Sequence, residues 1–371
     1  MVNRIIQKAL KYSKEIRLKG KLKKNVLFYY LKFPNIYIHS YFRGVHNNRY
    51  ASFLYAKAIN ELGYNIFAYD CDDVNIKERK YDIFLGHGPN FSKVAEKIKK
   101  KNNNCKTILL LTGSNPAFGN EQQRIRSLNL MKRRDINIPI YEENIVGDNS
   151  YNLAIADKIL LLGNDFVLNT YPKQFHHKIV LHDNVSIFPA RKKEGFLKRY
   201  IYMSSVGQVH RGLDLILETF ENRREKIYLC SSFKEEKEFE ENYKKQLYGI
   251  KNIIPVGYIK INTIKFHKII EEVDFAVLPS CSEGQSSSII NLMMFGIIPI
   301  VTENTGIKNI EKIGYVIKGG TLEDVQEVIG RASNASIEEI EEKRNNLFAI
   351  AYRHQSEYLK ILIKNTITSL E

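Results

Sequence analysis

The residues best suited to chemistry in this 371-residue chain stand in one polar turn, Pro279 to Ser288, between two strongly apolar segments. The turn holds a single carboxylate, Glu283, followed by Gly284, Gln285 and the serines Ser286, Ser287 and Ser288. Apolar residues follow from Ile289 to Phe295, so the serines stand just before a helix N-terminus. Free backbone N–H groups and small hydroxyls at such a place bind a phosphate or a sugar. A second polar opening is His210-Arg211-Gly212-Leu213-Asp214, where a guanidinium beside a helix start can neutralise a phosphate. A lone Arg or a lone Glu in a loop is usually a solvated side chain. As an ordered pair within one domain, Arg211 and Glu283 point instead to a ligand site. Cys281 lies beside it and reads as a small residue at a tight strand end, because no partnering base is evident.

Placing the turn requires a strand before it (Phe275–Leu278), a helix after it (Ile289–Phe295) and a second strand (Ile297–Val301) divided from that helix by Gly296. Such a unit sets the turn at the carboxyl edge of a parallel sheet, where open α/β folds bind ligands. The same alternation fills the second half: strand Tyr200–Ser204, helix Gly212–Phe220, strand Ile227–Cys230, helix Lys234–Gln246, strand Ile253–Val256, helix Thr263–Glu272. In the first half, strands are expected at Asn35–Ser40, Asn65–Tyr69, Asp82–Leu85, Thr107–Leu111, Lys158–Leu162 and Lys178–Leu181, with helices at Ala51–Leu62 and Ser92–Lys101. Asn115 to Asn152 is polar and poorly periodic, which suggests a long loop with one helix near a cleft mouth. Strand–helix alternation at this pitch gives doubly wound parallel sheets. A polar stretch from His182 to Lys198 reads as the linker. The expected architecture is therefore α/β, with two Rossmann-like domains (1–190 and 191–340) facing a central cleft. A C-terminal helix (341–371) packs back towards the first, through Phe348, Ala351, Tyr358, Leu359, Ile361 and Leu362.

The bulk composition narrows the function classes. With 44% hydrophobic residues and nine prolines the chain is globular, and 371 residues exceed one ordinary core. Four cysteines without C-x-x-C spacing give no zinc motif and fit a reducing cytoplasm. The net charge of +15 is uneven: residues 1–190 carry 30 Lys+Arg against 16 Asp+Glu, whereas residues 191–371 carry 26 against 25. The basic half faces something anionic. Residues 1–24 hold nine basic groups and one acid, Glu15, with Val2, Ile5, Ile6, Ala9, Leu10 and Ile16 at helical spacing. This segment reads either as a basic amphipathic helix on an anionic membrane surface or as a solvated helix. It lacks the continuous apolar core of a secretory signal, and no apolar run approaches the roughly 20 residues that span a bilayer. The expected location is cytoplasmic, and on the first of these two readings peripheral on the inner membrane face. Nucleic acid is disfavoured, because the cations sit on no reader motif.

In order along the second half, several segments resemble the carboxyl-terminal domain of retaining GT-B glycosyltransferases of family 4, the glycosyl transferases group 1. His210–Asp214 is similar to the family's basic-residue-plus-Gly turn. Asn252-Ile253-Ile254-Pro255-Val256-Gly257-Tyr258 resembles the strand and turn near the nucleotide base, and Val273–Ser280 with Ser282-Glu283-Gly284 resembles the opening of its Glu-x7-Glu signature. In the first half the likeness is looser: Gly44 stands where the family has its glycine loop, Asp82–Asn90 resembles its Asp…His-x-Pro-Asn strand end, and Ala156-Asp157 resembles its Ala-Asp strand start. Three positions depart from the pattern. The second glutamate falls on Asn291, the second basic residue on Val206, and a frequent histidine on Ser114.

The resemblance implies transfer of a sugar, with retention, from a nucleotide-diphosphate sugar to a glycan or lipid-linked acceptor in cell-surface polysaccharide synthesis. Arg211 would meet the charge on the leaving phosphates without a metal or other cofactor, Glu283 would orient the sugar, and the leaving phosphate would take the acceptor proton. Gly212, Gly284, Gln285, Ser286, Ser287, Ser288 and Asn291 would complete the donor site. His87 either bonds the sugar or acceptor or is a structural hydrogen bonder. Gly44 either approaches the diphosphate or is an ordinary turn glycine. Tyr258 either flanks the base or packs. A second function class is a degenerate GT-B protein that binds nucleotide-sugar or glycan and scaffolds a partner, which the three departures favour and the retained Arg211 and Glu283 oppose.

Overall fold

A computed structural model describes residues 2–42, 47–73, 75–139 and 147–370. Thirteen strands form two sheets among these residues. The first contains β1 (Ile16–Leu18), β2 (Asn25–Tyr30), β3 (Asn65–Asp70), β4 (Ile83–Gly86), β5 (Lys106–Leu111), β6 (Lys158–Leu162) and β7 (Ile179–His182), in the order β1-β3-β2-β4-β5-β6-β7. The second contains β8 (Tyr200–Met203), β9 (Ile227–Cys230), β10 (Ile253–Pro255), β11 (Phe275–Leu278), β12 (Ile298–Thr302) and β13 (Tyr315–Ile317), in the order β10-β9-β8-β11-β12-β13. All pairings are parallel except β1 with β3. Every residue of β8, β11 and β12 is buried, as expected of parallel strands covered on both faces.

Four local expectations need correction. Asn35–Ser40 is not a strand; the strand of this region is the apolar run Asn25–Tyr30, between β3 and β4, and Pro34, which has no N–H to donate, stands between that strand and Asn35. The basic segment 1–24 is not one helix. Val2–Tyr12 is helical, but Ile16–Leu18 pairs with β3 because the Glu15 carboxylate is drawn in among the Tyr69 hydroxyl (2.6 Å), Arg79 (3.1 Å) and Lys77 (3.4 Å). The Lys234–Gln246 helix is broken into Lys237–Asn242 and Lys244–Gly249, while the preceding Glu236 turns back to accept from the backbone N–H of Gly207 and Gln208. The tail is two helices, Ile337–Ile350 and Ser356–Thr368. They are divided where buried His354 bonds the Asn184 carbonyl at 2.7 Å and its own carbonyl accepts from Ser186 N–H at 2.8 Å. The last helix packs on helix Asn47–Glu61 of the first half, burying Leu359 and Ile363, whereas Phe348 and Ile361 are exposed.

Within Asn115–Asn152 lies a 19-residue helix, Pro116–Arg134. The Asn115 side chain caps it by accepting from Ala117 N–H at 3.0 Å. Its inner face carries Gln123 and Arg126, both buried, because it lies against polar groups of the second half rather than on its own sheet. That is why it shows no clear apolar period.

Candidate functional site

A cavity of about 340 Å³ lies between the two halves. From the second half it is lined by Arg211, Tyr258, Glu283, Gln285, Ser286, Ser287, Ser288 and Asn291, eight of the residues singled out from the sequence. The first half contributes Asn47, Thr112 at the end of β5 and Leu162 at the end of β6, and the linker contributes Asn184. The turn holding Glu283 does leave the carboxyl end of β11, as a parallel sheet requires.

Arg211 and Glu283 meet directly: Nη1 of the guanidinium donates to Oε1 of the carboxylate. Arg211 Nε also donates to the Val206 carbonyl at 3.0 Å, and the Ser280 hydroxyl to Glu283 Oε1 at 3.2 Å. A guanidinium has five N–H donors, so these contacts leave it further bonds for a ligand. Gly212 adopts φ +76° and precedes helix Leu213–Phe220. A Cβ there would stand 2.7 Å from the Pro279 carbonyl oxygen and 2.8 Å from Arg126 Nη1, so only glycine lets the two turns close on each other.

The backbone of the Glu283 turn is fixed from several sides. Glu283 N–H donates to the Asn304 carbonyl (3.0 Å), and its own carbonyl accepts the Ser114 hydroxyl (3.0 Å). Arg126 Nη2 donates to the Pro279 carbonyl at 2.9 Å. His210, 8% exposed, bonds the Ser282 carbonyl through Nε2 (2.8 Å) and the Gln123 amide through Nδ1 (3.0 Å). Burial pulls the His210 ring down to about 4, so it is neutral and has one N–H. Both ring nitrogens face acceptor oxygens, Nε2 the Ser282 carbonyl and Nδ1 the Gln123 Oε1, so the single proton serves one of them at a time. The Cys281 sulfur lies 3.4 Å from the same Nδ1, so a basic nitrogen is adjacent after all. Burial nevertheless pushes the thiol up to about 11, and it stays protonated rather than nucleophilic.

The serine-rich end of the turn is largely occupied with its own scaffold. Gln285 donates to Asp183 (2.8 Å) and to the Gly306 carbonyl (3.0 Å), and its side-chain oxygen accepts from Asn184 N–H (2.8 Å). Ser287 accepts from the Asn184 amide at 3.0 Å, and Ser288 donates to the Met203 carbonyl at 2.7 Å. Asn291 accepts the Ser186 hydroxyl at 2.8 Å.

Tyr258, 63% exposed, stands at the cavity mouth with Lys260. Gly284 does not line the cavity; it is where the second half touches Thr112 and Gly113 of the first. His87 is also absent from the lining. Its Nδ1 bonds the Leu110 carbonyl at 2.9 Å, its ring meets Tyr30 edge-on, and burial lowers its pKa, all features of a structural histidine. Gly44 lies outside the described residues. Sequence reasoning missed Thr112 and Leu162, although their place at the ends of two recognised strands was a usable signal. Asn184, in an irregular linker, gave none.

Residues 198–334, which span the second sheet, match the family described as Glycosyl transferases group 1. No curated protein matches the sequence. Among solved structures, the chain is similar to the N-terminal domain of Candida albicans trehalose-6-phosphate phosphatase (TM-score 0.62, 12% identity, covering 96% of this chain and 99% of that one). It is also similar to a glycosyltransferase from Rickettsia africae (0.61, 11%, 94% and 98%) and to HepE of Anabaena in complex with UDP and glucose (0.57, 11%, 93% and 100%). At these identities the likeness is one of architecture: the chain has the GT-B fold, two doubly wound α/β domains on either side of a cleft.

Proposed function

We propose that the chain is a glycosyltransferase of group 1 that moves a sugar, with retention, from a nucleotide-diphosphate sugar to a glycan or lipid-linked acceptor in cell-surface polysaccharide synthesis. The observation that carries this reading is the direct pairing of Arg211 with Glu283 on the wall of the interdomain cavity, within the segment that matches the family. A diphosphate entering the cavity competes with Glu283 for the guanidinium, and charge-assisted bonds to phosphate hold Arg211 where negative charge grows as the glycosidic bond breaks. Glu283, released, accepts from the sugar hydroxyls and orients the ring. The leaving phosphate takes the acceptor proton, so no protein base is needed, and Arg211 with the following helix replaces a metal. HepE, of the same fold, has been solved with UDP-glucose.

One observation favours a second reading, a GT-B protein that binds donor or glycan without turnover. Asn291, Val206 and Ser114, the three departures from the family pattern, are each engaged within the protein: Asn291 with Ser186, Val206 with Arg211 and Ser114 with Glu283. Calorimetry with a panel of nucleotide diphosphates and nucleotide-sugars, followed by a turnover assay with the donor that binds, separates the two. The active reading expects micromolar binding of one nucleotide, lost in Arg211→Ala, with turnover reduced about 100- to 1000-fold in Glu283→Ala. Binding without turnover for any acceptor supports the scaffold, and no binding to any donor overturns the glycosyltransferase reading and leaves only a scaffold that binds glycan.

A further inference from the structure

The first half holds a second cavity, of 160 Å³, remote from the site above. It lies between the irregular segment 75–81 and the helix Phe91–Lys101, with Tyr29 of β2 also in its lining. Its floor is apolar: Ile76 and Tyr81 from the segment, and Val94 and Ile98 from the helix. Its rim is cationic, with Lys77, Arg79, Lys93, Lys97 and Lys101 against the carboxylates Asp73 and Glu78. Apolar walls under an excess of positive charge suit neither a sugar nor a bare ion. A cavity of about 150 Å³ takes a group the size of a benzene ring, and a short alkyl segment needs similar room.

The chain itself marks where an anion would lie. The Glu78 carboxylate reaches across the mouth from the segment to the helix, ion-paired with Lys101 and 3.8 Å from Lys97. Both lysines and Glu78 are about half exposed or more, so these pairs are weak and readily exchanged. Lys77 and Arg79 are held in place differently, at 3.4 and 3.1 Å from Glu15, and the segment is tied down where Lys77 N–H donates to the Tyr69 hydroxyl at 3.2 Å and the Tyr81 hydroxyl to the Lys77 carbonyl at 3.1 Å. The groove is thus preformed, while its two outer lysines can change partners.

We propose that this groove binds one anionic amphiphile, a phosphomonoester head on an apolar chain, with the head between Lys97 and Lys101 in place of Glu78 and the chain on Ile76, Tyr81, Val94 and Ile98. Each part of the ligand alone is insufficient: the exposed lysines hold a free phosphate weakly, and a neutral chain leaves the cations unused. Burial of the chain supplies affinity and gives a negative heat-capacity change on binding. This site does not depend on the nucleotide-sugar reading, since it shares no residue with the interdomain cavity.

The test is calorimetry on the full chain with octyl phosphate below its micelle concentration, beside octanol and inorganic phosphate as separate probes. Octyl phosphate is expected to bind, and the other two are not. The double variant Lys97→Gln/Lys101→Gln weakens binding about tenfold, while Glu78→Gln strengthens it about two- to fivefold, because a competing carboxylate is gone. Val94→Asp, which sets a carboxylate in the floor, abolishes it. Should Val94→Asp fail to fold, the lysine and glutamate variants, all at exposed positions, carry the test. Absence of binding, or binding indifferent to the double lysine variant and to Glu78→Gln, overturns the proposal. So does association with anionic vesicles alone and not with monomeric octyl phosphate, which would indicate a charged surface rather than a groove.

Discussion

Gly284 has no room for a side chain, and the atoms that exclude one are backbone. A Cβ there would lie 2.1 Å from the Thr112 carbonyl oxygen and 3.0 Å from Gly113 Cα, across the boundary between the two halves. The next residue back is Glu283, so the contact that closes the cleft also fixes the carboxylate. Gly284→Ala is therefore expected to cost about 1–3 kcal/mol and to weaken donor binding together with stability. Gly119→Ala is the matched control. It is the fourth residue of helix Pro116–Arg134, and its Cβ would meet only the Ser282 side chain, with Cβ at 3.9 Å and Oγ at 3.1 Å, and that hydroxyl can rotate away. Alanine gains up to about 1 kcal/mol in helix propensity there. Denaturant unfolding with and without donor checks both; equal effects at the two glycines would show that the 112–284 contact is not what joins the halves.

At the scale of elements, helix Pro116–Arg134 belongs by chain order to the first half but holds the second. Arg133 bonds Asp214 Oδ2 and Glu218 Oε2, each at 2.7 Å, on helix Leu213–Phe220, and Asp214 is fully buried. Burial raises the Asp214 pKa even beside Arg126 and Arg133, so the carboxylate depends on these cations to stay ionised. Arg133→Met is expected to destabilise by about 3–5 kcal/mol, because it removes the one cation hydrogen-bonded to both acids and leaves Asp214 buried with only Arg126 nearby. Adding Asp214→Asn should restore part of that loss, and a double-mutant cycle by urea unfolding measures the coupling; strictly additive effects would mean that the two side chains are not coupled.

The same helix shows what could be read from the sequence and what could not. Strands such as Phe275–Leu278 and Ile227–Cys230 announce themselves, since buried parallel strands are continuous apolar runs between turn residues. Helix Pro116–Arg134 hides because the surface it covers is polar and distant in sequence, so Gln123 and Arg126 stand where a period would show leucines. Arg211 and Glu283 were legible from their turns, and the structure brings them together. The two readings of His87 could not be separated in the sequence, because a strand end fixes where the backbone emerges but not which way the ring turns; here the ring turns to the Leu110 carbonyl.

For the molecule as a whole, the buried histidines set how stability depends on pH. Burial pulls His182, against the Tyr55 hydroxyl at the end of β7, and His210, at the junction of the halves, down to about 4, and it also lowers His354 and His87. The unfolded chain holds these rings near 6.5, so between about pH 6.5 and 4 the unfolded state binds more protons than the folded one. Depressed folded values give stability that is complete above the unfolded pKa and lost as pH falls towards the folded one. Two rings titrating in that window give a slope approaching roughly 2.7 kcal/mol per pH unit. The carboxylates pulled low act in the same direction but further down. Burial works against the Glu225 carboxylate, yet hydrogen bonds from Arg223 and Ser333 hold it at about 2, so its contribution is lost only below about 4.5. Histidine and carboxylate effects therefore separate on the pH axis. Urea unfolding at half-unit steps from pH 7.5 to 4.5 should show a plateau, then a steep decline beginning near 6.5, with the slope reduced in His182→Gln. A flat profile down to pH 5 would mean that these rings find water or a counter-charge on protonation, and that the junction holding Glu283 is less dry than its geometry indicates.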